Sequence, residues 1–304
     1  MRGVFSAAPL LGVGTMCYPM VEKTGLAPML TVRASGPLDK NFYADCLARV
    51  DTSDRDTLCF AFRDGETREI GRSDVENIMG VASGKRKISL TRPKDKGRLV
   101  EKVQCVLGLP VNRNRGIRVE DLKKVMQICD AYCINRETWK RCLAAYTLLS
   151  CCTLVSPRAT NANVPDELLR CMQNPVEIGE YDWAGYILDV LRASVERFQQ
   201  EMNEGAPSLT SGGSNLFLQL YCLEWTDFRK HSLDTDLVPK IGAYTTEKIK
   251  ELIKLEMQDR LLKSPRYKTS VESMASRARR LHPLIASAGT VKEVCAFSVI
   301  THQN

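Results

Sequence analysis

The stretch YDWAGYILDVLRASVERFQQEM, residues 181–202, decides the fold. Trp183, Ile187, Val190, Leu191, Ser194, Val195 and Phe198 recur at steps of three and four, with Asp189, Arg192, Glu196 and Arg197 falling largely between them. That period places the apolar residues on one stripe of an α-helix. A striped helix must bury its apolar side, and the same period supplies partners in both directions. Upstream, Trp139, Cys142, Leu143, Tyr146 and Leu149 recur at helical steps within 137–154, which predicts a helix central to the core. Downstream, residues 216–228 form another apolar helix. Thr246 opens a further one with Ile249, Leu252, Ile253 and Met257.

Nearer the N-terminus the elements shorten. Residues 39–50 have helical spacing through Phe42, Cys46, Leu47 and Val50. The segments 58–62 and 66–70 flank the turn dipeptide Asp64-Gly65 and predict a short β-hairpin. Ser73 is expected to cap a helix, with Glu76 completing a capping box ahead of Ile78 and Met79. Residues 84–97 form a polar basic loop broken by Pro93, and 98–107 are helical until Gly108 and Pro110. Residues 119–129 carry the stripe Leu122, Val125, Met126 and Cys129. Residues 164–172 form a shorter helix with Pro165 in its first turn. The segment 204–213, with Gly205, Pro207, Gly212 and Gly213, is a flexible loop. The fold class is therefore mainly α: a helical domain with a small β-hairpin near its N-terminal side. Three regions are expected. They are a leader over 1–38, the helical domain over 39–262, and a weakly patterned basic tail over 263–304 that includes Arg277, Arg279 and Arg280.

The chain has 304 residues, 44% of them hydrophobic and 26% charged, enough to bury a sizeable core. No apolar run reaches the roughly twenty residues of a membrane-spanning helix, so no span is expected. Of the twelve cysteines, Cys105, Cys129, Cys133, Cys142, Cys151, Cys152, Cys171 and Cys222 sit in apolar helical patterns. Such cysteines behave as small buried hydrophobes, and a reducing compartment is the expected setting. Residues 1–38 hold a single acid, Glu22, with Arg2, Lys23 and Arg33 and several hydroxyls. This loosely fits an organelle transit peptide, but Gly3, Pro9, Gly12, Gly14 and Pro19 interrupt the amphipathic helix such a signal uses. The segment reads as a disordered leader, with mitochondrial targeting as the alternative to a nuclear or cytoplasmic protein.

Charge is concentrated in one place. Residues 85–124 hold thirteen Lys and Arg against four acids, whereas the rest of the chain holds thirty against thirty-two. The whole positive excess of +7 therefore comes from this segment. Its candidate contact residues are Lys85, Arg86, Lys87, Arg92, Lys94, Lys96, Arg98, Arg113, Arg115 and Arg118. They suit the phosphates of a nucleic acid, or an acidic protein, or simply water. No Phe, Tyr or Trp lies among residues 85–124, so no base-stacking platform accompanies them. Contact with nucleic acid would fall on the backbone.

No catalytic pattern accompanies these features. Cys129 and Cys133 are four apart and Cys151 and Cys152 adjacent, and neither spacing is that of a zinc knuckle. The three histidines are His231, His282 and His302. His231, near Asp234 and Asp236, is a conceivable base for a thiol nucleophile, and His282 precedes Pro283 in the weakly patterned tail. The pair Gly12 and Gly14 lacks the strand and helix context of a nucleotide loop. The pair Gly212 and Gly213 reads as an interhelical turn. A non-enzymatic protein without metal or cofactor is expected.

Several words in this sequence resemble a known family. YDWAGYILD at 181–189, followed by a Gly-containing loop and LFLQLY at 216–221, is similar to the plant "aminotransferase-like, plant mobile domain" proteins. SDVENIMGV at 73–81, LLSCCTLVSP at 148–157 and VPKIGAYTTEKIKELIKLE at 238–256 fit the same order. These are transposon-associated plant chains, often fused to a ubiquitin-like-protein-specific cysteine protease. The resemblance spans about residues 40 to 260. It implies a helical, plant-specific, non-enzymatic interaction domain with a nuclear role in genome regulation or silencing, and the fused protease module is not in this sequence. The alternative is a mitochondrion-directed effector that binds an organellar protein and affects cell fate. The family's Gly-Gly-Cys approach to the Leu-Phe-Leu-Gln run is here Gly212-Gly213-Ser214-Asn215. A protein partner is expected on either reading, and oligomeric state is not legible.

Overall fold

Asp182 starts the longest helix by accepting a hydrogen bond from the backbone N–H of Gly185 at 2.8 Å, which satisfies a donor the helix cannot pair internally. The computed structural model describes residues 21–34, 39–132, 135–157, 163–204, 213–228, 231–233 and 237–261. Within them the helices are α1 (Lys40–Ala48), α2 (Arg72–Met79), α3 (Lys96–Leu107), α4 (Val119–Tyr132), α5 (Arg136–Ser150), α6 (Trp183–Asn203), α7 (Asn215–Trp225) and α8 (Thr246–Leu261). The strands are β1 (Val50–Asp51), β2 (Cys59–Ala61) and β3 (Thr67–Glu69).

The α6 stripe is buried as its period requires: Trp183, Ile187, Val190, Leu191, Ser194, Val195 and Phe198 all lie in the core. Helix α7 is buried on every side from Asn215 to Leu223. A helix apolar all round belongs at the centre of a fold, and α7 packs against α1, α2, α8 and the turn that ends α5. Helix α5 packs against both α4 and α3.

The sheet has three antiparallel strands in the order β1-β2-β3. The hairpin at Asp64-Gly65 is present, with Phe60 opposite Arg68. The third strand lies where the periodicity extends α1 through Val50. The helix ends at Ala48, and Val50 pairs with Phe60. Two atoms of backbone decide this: the Arg49 N–H is taken by the Cys46 carbonyl, and the Ala61 N–H by the Arg49 carbonyl.

Three further local expectations change. Helix α2 is capped at Gly71, whose N–H donates to the Asp74 carboxylate at 2.9 Å, so Ser73 sits inside the helix. The helix expected to run to Leu154 becomes a π-turn over Cys151–Val155, closed by Ser156 N–H to the Cys151 carbonyl at 2.7 Å. The segment after Pro165 is a 3-10 turn, Asp166–Arg170, rather than an α-helix.

The expected leader also divides. Residues 21–34 pack into the core through Val21, Leu26, Ala27, Met29, Leu30, Val32 and Ala34. Tyr146 of α5 donates to the Leu26 carbonyl at 2.6 Å. Apolar side chains here bury in a 3-10 turn, Ala27–Thr31, and irregular backbone, which have no period to read. Residues 1–20 and 35–38, most of the 204–213 loop and the 263–304 tail lie outside the described residues. So do Cys133, Asp234, Asp236, His282, His302 and the Cys129 side chain.

Candidate partner-binding face

The basic segment is held to the body by its own backbone and by two buried side chains. Ile88 and Pro93 are buried. Arg86 N–H donates to the Glu180 carbonyl at 2.9 Å, and Asp182 N–H donates to the Arg86 carbonyl at 2.8 Å. Gly84 lies so close to this strand-like contact that a Cβ there would overlap the carbonyl oxygens of Glu180 and Tyr181. The loop 109–116 is held by Gln104, buried on α3. Its amide donates to the carbonyls of Asn112 and Arg115, at 3.1 and 2.9 Å, and its oxygen accepts from Asn112 N–H at 2.7 Å. A buried amide satisfied on three sides fixes the loop that carries Arg113 and Arg115.

The ten candidate residues all lie at the surface, Lys96 half-buried. Six of them are already paired. Arg86 binds Glu177 and, at 3.1 Å, Glu180. Lys87 binds Asp189 at 3.4 Å, while Arg92 and Lys96 share Asp166 at 3.2 and 2.9 Å. Arg113 binds Glu101 at 2.6 Å and Arg115 binds Asp121 at 3.0 Å. Hydrogen bonds raise Arg86 and Arg113 above the ordinary arginine value, from Glu177 and Glu101 respectively. Asp166, Glu177, Glu180 and Asp189 come from outside the segment, so folding neutralises much of the excess that the sequence concentrates there. Lys85, Lys94, Arg98 and Arg118 have no ion pair among the described residues.

Between α3 and the 109–116 loop runs an open groove of about 600 Å³, lined by Glu101, Lys102, Cys105, Val106, Val111 and Gln173. Its walls expose apolar surface: Val111 is 54% exposed, and Cys105, expected inside a helical stripe, faces solvent. Lys102 reaches Gln173 at 3.3 Å across it. The groove can take an apolar side chain while its charged rim holds polar groups beside it.

A second constellation escaped the sequence reading. Arg49 at the end of α1 contacts the Cys222 sulfur of α7 at 3.0 Å, the Cys46 sulfur at 3.7 Å, Asp45 at 3.3 Å and Glu256 of α8 at 3.2 Å. Arg63 binds Glu256 at 2.5 and 2.9 Å and Asp45 at 2.9 Å. Only the Asp45–Arg49 spacing of four was legible. Cys46 is three residues from Arg49 and Asp45 eighteen from Arg63, but Cys222 and Glu256 are 173 to 207 residues from the arginines they meet.

His231 pairs with Glu251 at 3.1 Å on the surface. Among the described residues no group of three or more His, Cys, Asp or Glu side chains is placed to hold a metal ion. No described helix is long and apolar enough to cross a membrane.

A family model described as "Domain of unknown function (DUF8566)" matches residues 18–219, and the chain belongs to that family. The matched region includes the buried 21–34 segment and both walls of the groove. No curated protein and no solved structure matches the chain.

Proposed function

We propose that this member of the DUF8566 family is a non-enzymatic interaction domain that binds an acidic, apolar-bearing segment of a protein partner along the α3 groove. The observation that carries this reading is an exposed apolar strip on a segment that keeps unpaired positive charge. Val111, Val106 and Cys105 line it, and the unpaired Lys85, Lys94, Arg98 and Arg118 belong to the same segment. Buried apolar contact supplies affinity, and the cations supply encounter rate and choice of partner. The loss of open positive charge to internal acids, and the absence of aromatic platforms, favour a protein over a nucleic acid. The resemblance to plant mobile domain proteins supports the same non-enzymatic reading and a nuclear role in genome regulation or silencing. A mitochondrial role rests on the leader alone. Comparing a fluorescently tagged full chain with one lacking residues 1–20 separates the two, because only a targeting leader changes the location when removed.

A random-peptide display selection on the full chain tests the groove. The expected peptides combine Asp and Glu with a large aliphatic or aromatic residue. Their binding weakens about tenfold or more in Val111→Asp and falls with salt. Neutral peptides, or binding indifferent to Val111→Asp, overturn the proposal. Salt-dependent binding of a duplex oligonucleotide, lost when Lys85, Lys94, Arg98 and Arg118 are changed to Gln, without peptide selection, replaces it with the backbone-contact reading.

A further inference from the structure

The buried thiols of Cys46 and Cys222 differ from the other described cysteines. Both are fully buried, on α1 and α7, helices that pack together. Both sulfurs lie against the same Nη2 of Arg49, at 3.7 and 3.0 Å, which brings them close to each other. Cys151 is just as buried and has no cation beside it; burial pushes its thiol well up. A guanidinium 3.0 Å from a sulfur favours a thiolate and repels a metal cation. The arrangement therefore suits anionic sulfur chemistry and not metal capture.

We propose that Cys46 and Cys222 form a peroxide-responsive dithiol, in which Cys222 is oxidised first and Cys46 then closes an intramolecular disulfide between α1 and α7. In the first step the Cys222 thiolate attacks one oxygen of hydrogen peroxide. The O–O bond breaks, hydroxide leaves, and the sulfur becomes a sulfenic acid. In the second step the Cys46 sulfur attacks that sulfur, the S–O bond breaks, and the Cys46 proton leaves with the hydroxyl as water. The two sulfurs lose two electrons in total, and peroxide accepts them.

The assignment of order follows from the contacts. Arg49 lies closer to Cys222. Burial pushes both thiols up, but at Cys222 the Cys46 hydrogen bond and the Arg49 charge more than offset it and leave the group below its ordinary value. Cys46 stays well above its own. Asp45, Arg63 and Glu256 are the other charged groups around the pair. Asp45 and Glu256 push the Cys222 thiol up, and the Cys46 hydrogen bond and Arg49 act against them. The side chains of Arg49, Arg63 and Asp45, next to the buried pair, are 11%, 18% and 19% exposed, so this polar cluster reaches the surface.

Peptide mapping of the full chain after hydrogen peroxide, without reductant, tests this. The expected product is one peptide pair joining Cys46 to Cys222, lighter by two hydrogens and separated by dithiothreitol. Exposed Cys105 reports that oxidant reached the protein. Arg49→Met slows the link about tenfold or more, since one pKa unit changes the thiolate fraction tenfold. Should that variant fail to fold, Cys46→Ser leaves Arg49 in place and is expected to accumulate a dimedone adduct at Cys222. The proposal is overturned if Cys105 oxidises while Cys46 and Cys222 stay reduced. It is equally overturned if Arg49→Met links at the wild-type rate, or if Cys46→Ser gives no Cys222 adduct.

Discussion

Replacing Glu256 by Gln tests whether the buried charges at the junction of α1, β2 and α8 hold the fold. The Glu256 side chain is 2% exposed and receives Arg63 through two nitrogens, at 2.5 and 2.9 Å, and Arg49 at 3.2 Å. The change keeps the shape but removes the charge, and it turns an NH₂ donor toward guanidinium donors. Arg49 Nε and Arg63 Nη1 already lack partners among the described residues. Removing one partner of a buried pair costs about 3–5 kcal/mol because the other charge stays buried and uncompensated. Asp45 still faces both arginines, which places the expected loss near the low end, about 3 kcal/mol. The internal control is Asp45→Asn. Its side chain is 19% exposed, water can replace the lost contacts, and about 1 kcal/mol is expected. Urea unfolding followed by tryptophan fluorescence measures both. A Glu256→Gln loss within about 0.5 kcal/mol of zero, or an Asp45→Asn loss exceeding it, refutes the reasoning.

Gly84→Ala should detach the basic loop. The overlap with the Glu180 and Tyr181 carbonyls is with backbone, which cannot swing aside, so a loss of about 2–3 kcal/mol is expected in the same unfolding assay. Tyr146→Phe removes one of the two donors to the buried Leu26 carbonyl, the Met29 N–H being the other, and should cost about 0.5–1.5 kcal/mol, with faster hydrogen exchange across 21–34 as its signature. The Arg86 hydrogen bond holds Glu177 below its ordinary value of 4.5. A depressed carboxylate contributes stability that is present above the unfolded value and lost as pH falls through the folded one. Intrinsic-rate-corrected exchange of the 84–95 amides should therefore quicken below about pH 4.5. Unchanged protection down to about pH 3 would show that the ion pair does not tether the loop.

Periodicity alone determined the main helices, because an apolar stripe repeated every three to four residues has one stable use. The stripe on 181–202 and the all-round apolar run at 215–223 reached the core with no tertiary information. Turn chemistry gave the Asp64-Gly65 hairpin for the same local reason. What lay beyond the sequence were contacts whose partners are remote or whose backbone has no period. Residues 21–34 look like a leader because a 3-10 turn and irregular chain bury Leu26 and Met29 without rhythm. The basic segment looked like an open positive surface because Asp166, Glu177, Glu180 and Asp189 lie 70 to 102 residues from the cations they neutralise. Arg49 gives no local sign that it will meet Cys222 and Glu256. Coulomb attraction and hydrogen bonding act over a few ångströms of space rather than along the chain, so only the folded structure could decide which charges remain free and which thiols meet.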